Sequence, residues 1–409
     1  MVVSEHLKKY NTDEMLFFLA VIFKPLYLFP SGSFQIGDFL FIAAVAVHFF
    51  AGSERELLFP IHKEEHSLLI FVAGVLVINT IYWVLIGTAD FLVNSSYYVF
   101  NFLIVLYIAD LLQTERKDVF LHGLCIACKV VITFQLIVYI TGSDTVDIEG
   151  RHLGTFNDPN QFAVYILFCL LIMFDIYHSI KIRELFWLVT GGWLIVASGS
   201  TGSLLGLAFF LALFLLISAV PVNRKRIAIG FTCIAVVCAA LAVLRVSGNS
   251  AVSNDTINMI SARFTRKLGN VNGLGDFFNT LINDRIWNRV FEQPKYLLYG
   301  SGEGAHSRFD ASYLSHEIHS SILGPPFYYG IGIAFFMFRW IAIKLKHVDA
   351  FQFCIYIAML AECLLLVNYR QPLFWLLFVL AGRDKSDSLM IRRKYESEDV
   401  DPVVIQKIN

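Results

Sequence analysis

Charge is what this chain has least of. Asp, Glu, Lys and Arg make up 16% of its 409 residues, and the formal net charge is −1 at pH 7. A near-neutral chain has no basic face with which to neutralise a row of phosphates, so nucleic-acid binding is excluded as a function class. The seven cysteines all lie in apolar stretches, which excludes a disulfide framework as the organising device. Cys125 and Cys128 form a CxxC without a second pair, and they read as packing residues. There is no polar stretch of domain size, and no internal repeat of the kind that builds inverted-repeat transporters. A removable leader is not expected either, because the first apolar run contains Lys24-Pro25 and lacks a small-residue cleavage site.

What the chain has in excess is apolar length. Hydrophobic residues account for 57% of it, which places it among multispanning membrane proteins. A helix in lipid satisfies its own backbone and needs about 20 residues to cross. On that basis twelve runs qualify as spans: 15–30, 36–51, 67–87, 91–112, 119–142, 161–178, 184–198, 201–219, 227–247, 320–343, 350–367 and 371–382. The seventh and eighth could form one broken hairpin. The expected fold is therefore an all-α integral membrane protein, with residues 1–382 as one polytopic domain and 383–409 as a charged tail.

Lys and Arg mark alternate connections, from Lys8 and Lys9 through Arg55, Arg116, Lys181, Arg224 and Lys344 to the tail. The connections between them, such as Gly87 to Asp90 and Ser198 to Ser203, have neither residue. The positive-inside rule then places both termini in the cytoplasm. A polar insertion of about seventy residues between the ninth and tenth spans, 248–317, faces outward with seven basic and seven acidic residues. The shorter loop from Thr141 to Asn160 faces the same way.

Three polar clusters lie at that outer face. In the first, Gly150 to Asn160, Asp158-Pro159 reads as a turn and Asn160 as the cap of the sixth helix. Arg151 could reach an anionic headgroup, or pair with Asp147 or Asp158 within the loop. In the second, residues 276–293 read as a helix ended by Pro294. On it Arg285 and Arg289, four apart, project from one side and suit a phosphate; as surface charges they would instead pair with Asp284 and Glu292. The following Gly300-Ser301-Gly302-Glu303-Gly304 bends the chain closely past something, but with no preceding strand it is not a nucleotide fingerprint. In the third, His316-Glu317-Ile318-His319 opens the tenth helix, where a histidine can accept a proton near neutrality. His316 and His319 lack a third ligand, and no metal is expected.

The ordered series GRHLGTFNDPNQFA, ASGSTGSLLG, NDRIWNRVFEQPKYLLYGSGEG and HEIHSSILGPPFYYGIG resembles the O-antigen polymerase and ligase superfamily of bacterial envelope polysaccharide enzymes over residues 150 to 340. The family's Gly-Arg, Pro-Asn, Arg/Trp/Pro/Gly-x-Gly and His-Ser-x-x-Leu positions are met by Gly150-Arg151, Pro159-Asn160, Arg285, Trp287, Pro294, Gly300, Gly302, His319, Ser320 and Leu323. An arginine common after the Ser-x-Ser is replaced by Thr201.

The resemblance implies a metal-independent, inverting glycosyltransferase at the outer face of the inner membrane, with no cofactor. It joins polyprenyl-diphosphate-linked oligosaccharides. Arg151 and Arg285 would steady the departing diphosphate, and His319 would take the acceptor's proton. Arg289, His316, Glu317, Asn160 and Trp287 would bind substrate. A chain-length regulator is the protein partner the family implies. Polymerase is the favoured activity, a ligase acting on lipid A core or another acceptor is the alternative, and a lipid-linked glycan flippase is the reading from another class. Tyr97, Tyr98, Trp187, Trp193, Tyr328 and Tyr329 read as interfacial aromatics that could stack sugars. Lys24, Lys129 and Glu362 lie inside spans and are left as structural pairs or snorkelling groups.

Overall fold

The computed structural model describes residues 10–29, 34–50, 61–142, 146–147, 150–178, 180, 182–219, 282–309 and 317–383. The ninth apolar run, the insertion up to residue 281, His316 and the charged tail beyond Arg383 lie outside the described residues.

Helices in chain order are α1 (Thr12–Phe23), α2 (Ile36–Phe50), α3 (His66–Ile86), α4 (Asp90–Leu111), α5 (Lys117–Thr141), α6 (Pro159–Tyr177), α7 (Ile182–Ser198) and α8 (Thr201–Ala219). They are followed by the short α9 (Asn288–Glu292) and α10 (Tyr296–Tyr299), then α11 (Gly324–Leu345), α12 (Ala350–Leu365) and α13 (Pro372–Ala381). Among the described residues the only extended pairing is an isolated bridge between Val146 and His152. The fold is all-helical.

Five helices, α3, α4, α5, α6 and α11, are long and apolar enough to cross a membrane. Five shorter apolar helices lie on five of the other six described runs, all but the first. The seventh and eighth runs form two helices, α7 and α8, joined at Gly199 and Ser200.

Burial sorts these helices into centre and periphery. On α6 every residue from Phe162 to Ile176 is buried, as expected of a helix that is apolar all round and enclosed by others. On α5 the exposed apolar residues Ile126, Val130, Phe134, Ile137 and Ile140 recur at helical spacing and form one outward stripe. On α3, Val77, Val84 and Leu85 are likewise exposed. Continuous outward apolar surface of this kind is stable in lipid and costly in water, and the architecture is that of a multi-pass membrane protein.

Lys24, Lys129 and Glu362 each have a hydrogen-bond partner, a charged one only for Lys24. Lys24 Nζ reaches both carboxylate oxygens of Asp38 at 2.6 Å, with both residues buried. Lys129 Nζ donates to Tyr177 Oη (2.9 Å) and lies over Trp187, while Glu362 accepts from Asn368. None of the three forms the Lys–Glu pair considered from sequence. The five cysteines in the described residues, Cys125, Cys128, Cys169, Cys354 and Cys363, are free and buried.

Candidate functional site

The site is built on a break in α11. Gly330 sits inside this helix with φ 75° and ψ 153°, a region open essentially to glycine alone. Near the break the carbonyls of Phe327 and Tyr328 accept from Ser301 N (3.1 Å) and Gly302 N (2.8 Å). The crossing is tight: a Cβ on Gly330 would lie 2.7 Å from Leu298 O, and one on Gly300 would lie 2.6 Å from Tyr328 O. The Gly-x-Gly and the later Gly330 are thus two halves of one backbone contact.

That contact delivers Glu303 into the interior, where it is fully buried. Its Oε2 accepts from the hydroxyls of Tyr98 (2.9 Å) and Tyr329 (2.7 Å), and its Oε1 from Tyr369 (3.0 Å) and the Arg370 guanidinium. A buried carboxylate is tolerated only when its lone pairs are filled and its charge is offset, and four donors do both. Asn79 and Asn94 hold the Glu303 backbone from α3 and α4. Tyr98, Tyr328 and Tyr329 are therefore buried framework, correcting their reading as interfacial sugar platforms.

Arg370, on the turn between α12 and α13, also binds the Glu317 carboxylate with the same Nη2. Burial pushes the Glu317 carboxyl up, but Arg370, His306 and His319 outweigh it and hold it below the usual value. His306 faces the same group. Burial lowers its pKa to about 4, helped by Arg370 and Arg289 and opposed by Glu317 and Glu303. The imidazole is neutral near pH 7, and its Nδ1 is buried with no hydrogen-bond partner among the described residues.

The backbone brings the second and third sequence clusters together, since His319 N donates to Arg285 O at 3.1 Å. The helix expected over 276–293 is interrupted within its described part. Trp287 N donates to Ile282 O (2.9 Å) and Ile286 N to Asn283 O (3.1 Å), with Ile286 left-handed at φ 57°. This is a Schellman-type stop, and a β-branched residue at its left-handed position carries strain. Arg285 and Arg289 consequently do not project from one side of a single helix. Arg289 is buried and its guanidinium stacks 4.9 Å from the Phe309 ring centroid, while Glu292 accepts from Asn288 instead (3.0 Å). Arg308 also lies over the Phe309 ring (4.6 Å), as well as over Tyr82 and Phe91, and donates to the Ser301 and Gly302 carbonyls.

The first cluster packs against the end of α7, where His152 N donates to Ala197 O (3.2 Å). Arg151 Nε donates to Ser198 O (2.9 Å) and its Nη2 to Asn160 Oδ1 (2.9 Å). Asp147 accepts from the Arg151 backbone (2.9 Å) and approaches its guanidinium at 3.6 Å, so the loop pairing is present. Asp158, not Asn160, caps α6: its Oδ1 accepts from Asn160 N (2.8 Å) and Gln161 N (3.0 Å), with Pro159 in the first helical position. Aspartate one residue before proline is the better cap because a proline there needs no donor partner. Leu366 packs on Gly202 and its carbonyl accepts from Ser321 N (3.0 Å), which ties α8 to the segment carrying His319.

Among the described residues no group of three or more His, Cys, Asp or Glu is placed to hold a metal ion. Three members of the site were missed from sequence: Glu303, His306 and Arg370. The signal was available in part, because Arg370 is a lone charge between two apolar runs and Glu303 is enclosed by glycines. No protein-family model matches the chain, and no curated protein matches it.

Proposed function

We propose that this protein is a glycosyltransferase that polymerises polyprenyl-diphosphate-linked oligosaccharide repeat units at the outer face of a bacterial inner membrane. Twelve spans with both termini cytoplasmic complete this reading. The observation that carries it is the meeting of segments 282–309, 317–323 and 366–371 at one end of the helical body. There Arg285 and His319 are joined through the backbone, and Glu317, Arg370 and His306 surround them.

In this reading a hydroxyl of the acceptor glycan attacks the anomeric carbon of the donor. The bond from that carbon to the diphosphate oxygen breaks, and polyprenyl diphosphate leaves with the bonding pair. The hydroxyl proton passes to His319. Arg285 and Arg151 meet the charge that grows on the leaving group, with Arg289 behind them, because fixed cations lower the barrier where charge develops. Glu317 orients His319, while Asn160 holds Arg151 through its side-chain oxygen. Trp287 and His316 complete the substrate-binding set taken from the sequence resemblance. A single displacement inverts the anomeric centre.

The test is polysaccharide length on a gel from a deletion strain carrying wild type, His319→Ala or Arg285→Ala, with membrane levels matched. Long chains with wild type and a single repeat unit with both variants support polymerisation. Long chains left on polyprenyl diphosphate in the deletion strain would make the protein a ligase. Full activity of both variants would remove these residues from the chemistry.

A further inference from the structure

Arg370 lies where no sequence motif points, yet it joins the two halves of the site. Its Nη2 bridges Glu303, on the loop docked against the α11 break, and Glu317, two residues before His319. Glu303 is anchored independently by Tyr98, Tyr329 and Tyr369. It therefore acts as a fixed post, and the guanidinium transmits that fixity to Glu317. The Arg370 side chain is one-quarter exposed, at 24%, while Glu303 is at 0%, so the bridge runs from the sealed interior to the edge of the site.

We propose that Arg370 is a positioning residue: held by Glu303, it keeps the Glu317 carboxylate ionised and aimed between His306 and His319. The proposal rests on the glycosyltransferase reading for its activity readout. Among the described residues the groups that face Glu317 are Arg370, His306 and His319, together with the Tyr328 and Tyr369 hydroxyls. Of these, Arg370 is the leading cation acting on it. Without that cation, burial favours the protonated carboxyl, and a neutral Glu317 no longer supports a histidine that must take up a proton. An opposite charge at this range lowers a carboxylate by about 1–3 pH units, so its loss is readable.

The experiment compares wild type, Arg370→Gln, Arg370→Lys and Glu303→Gln as full-length protein in detergent or liposomes. Chain-extension rate and thermal midpoint are each followed from pH 4 to 8. The proposal expects the acid limb of Arg370→Gln activity to move up by about one pH unit or more, and Arg370→Lys to keep it near the wild-type position. Glu303→Gln should lower the midpoint while leaving the limb within a few tenths of a unit, since an amide oxygen there still accepts from Arg370 and keeps it facing Glu317. An unmoved limb in Arg370→Gln, with only the midpoint lowered, would reduce Arg370 to a structural bridge and overturn the proposal. Should wild type extend no chains, the glycosyltransferase reading falls separately, and the midpoints still decide the pairing. Wild type should then gain stability as pH rises to 4.5 through the folded Glu317 range, apart from the gain His306 adds between about 4 and 6.5, and Arg370→Gln should lose the part below 4.5 if the pairing holds and keep it if it does not.

Discussion

At the scale of the residue, the Glu303 carboxylate is held by separable donors. Tyr329 gives it a 2.7 Å hydrogen bond from a fully enclosed hydroxyl, and a bond to a charged group contributes about 1.5–3 kcal/mol. Tyr329→Phe should lower unfolding stability by about that amount, measured by denaturant titration in detergent. Arg370→Ala should cost more, about 3–5 kcal/mol, because it strands a buried charge.

His306 and Glu317 both make the site acid-sensitive, and in the same direction. His306 has its pKa reduced from 6.5 to about 4. Between those values the unfolded chain takes up a proton that the folded chain refuses, so stability falls as pH drops through this window. Glu317, held below its usual 4.5, contributes stability that is complete above 4.5 and is lost as pH falls through its folded value. Ring-nitrogen NMR on selectively labelled protein should find His306 neutral at pH 6, and a protonated ring at that pH would contradict the placement of its neighbours.

At the scale of the element, the break in α11 is the feature on which the site depends. Gly330 and Gly332 are two residues apart but differ in kind. A Cβ at Gly330 meets backbone at 2.7 Å and needs a left-handed φ, whereas one at Gly332 meets nothing within 4 Å. Gly330→Ala should cost about 1–3 kcal/mol and sharply reduce activity by displacing Glu303. Gly332→Ala should be silent in both assays, which thermal midpoints and chain-extension rates will show.

The same helix shows what a sequence can and cannot convey. Apolar periodicity and length located α3 to α6 and α11 to within a few residues, because lipid imposes a coarse, regular demand on composition. The cap of α6 was misplaced by two residues, since Asp158 and Asn160 are both good caps and only the proline between them decides. The stop at Ile286 was invisible, because nothing in Asp-Arg-Ile-Trp announces a left-handed isoleucine. Of the site, Arg285, Glu317 and His319 were legible as polar residues at a boundary. Glu303 and Arg370 were not, since their roles arise from a pairing across 67 positions of sequence.

At the scale of the whole molecule, ionic groups separate to two ends. The site gathers at one. At the other, Lys344 binds Glu64 and Glu65, Arg116 binds Glu14, and Arg383 binds Asp175. If the first end faces outward, Leu298→Cys, at an 82% exposed position, should react with a membrane-impermeant maleimide in intact spheroplasts. His347→Cys, beside Lys346, should react only after lysis. The five described native cysteines are buried and free, and both variants are made with Cys233 and Cys238 changed to Ser to keep the background low. The reverse pattern would invert the proposed sidedness.

The central claim is that this end of the molecule joins sugar chains by releasing polyprenyl diphosphate without a metal. The most direct measurement is incubation of the purified protein in liposomes with a polyprenyl-diphosphate-linked repeat unit and a chelator, following both products by mass spectrometry. The account predicts a ladder of lengthened glycans with one polyprenyl diphosphate released per linkage, abolished by His319→Ala and unaffected by the chelator. Donor that remains intact with wild type, or turns over only when a divalent metal is restored, would contradict it.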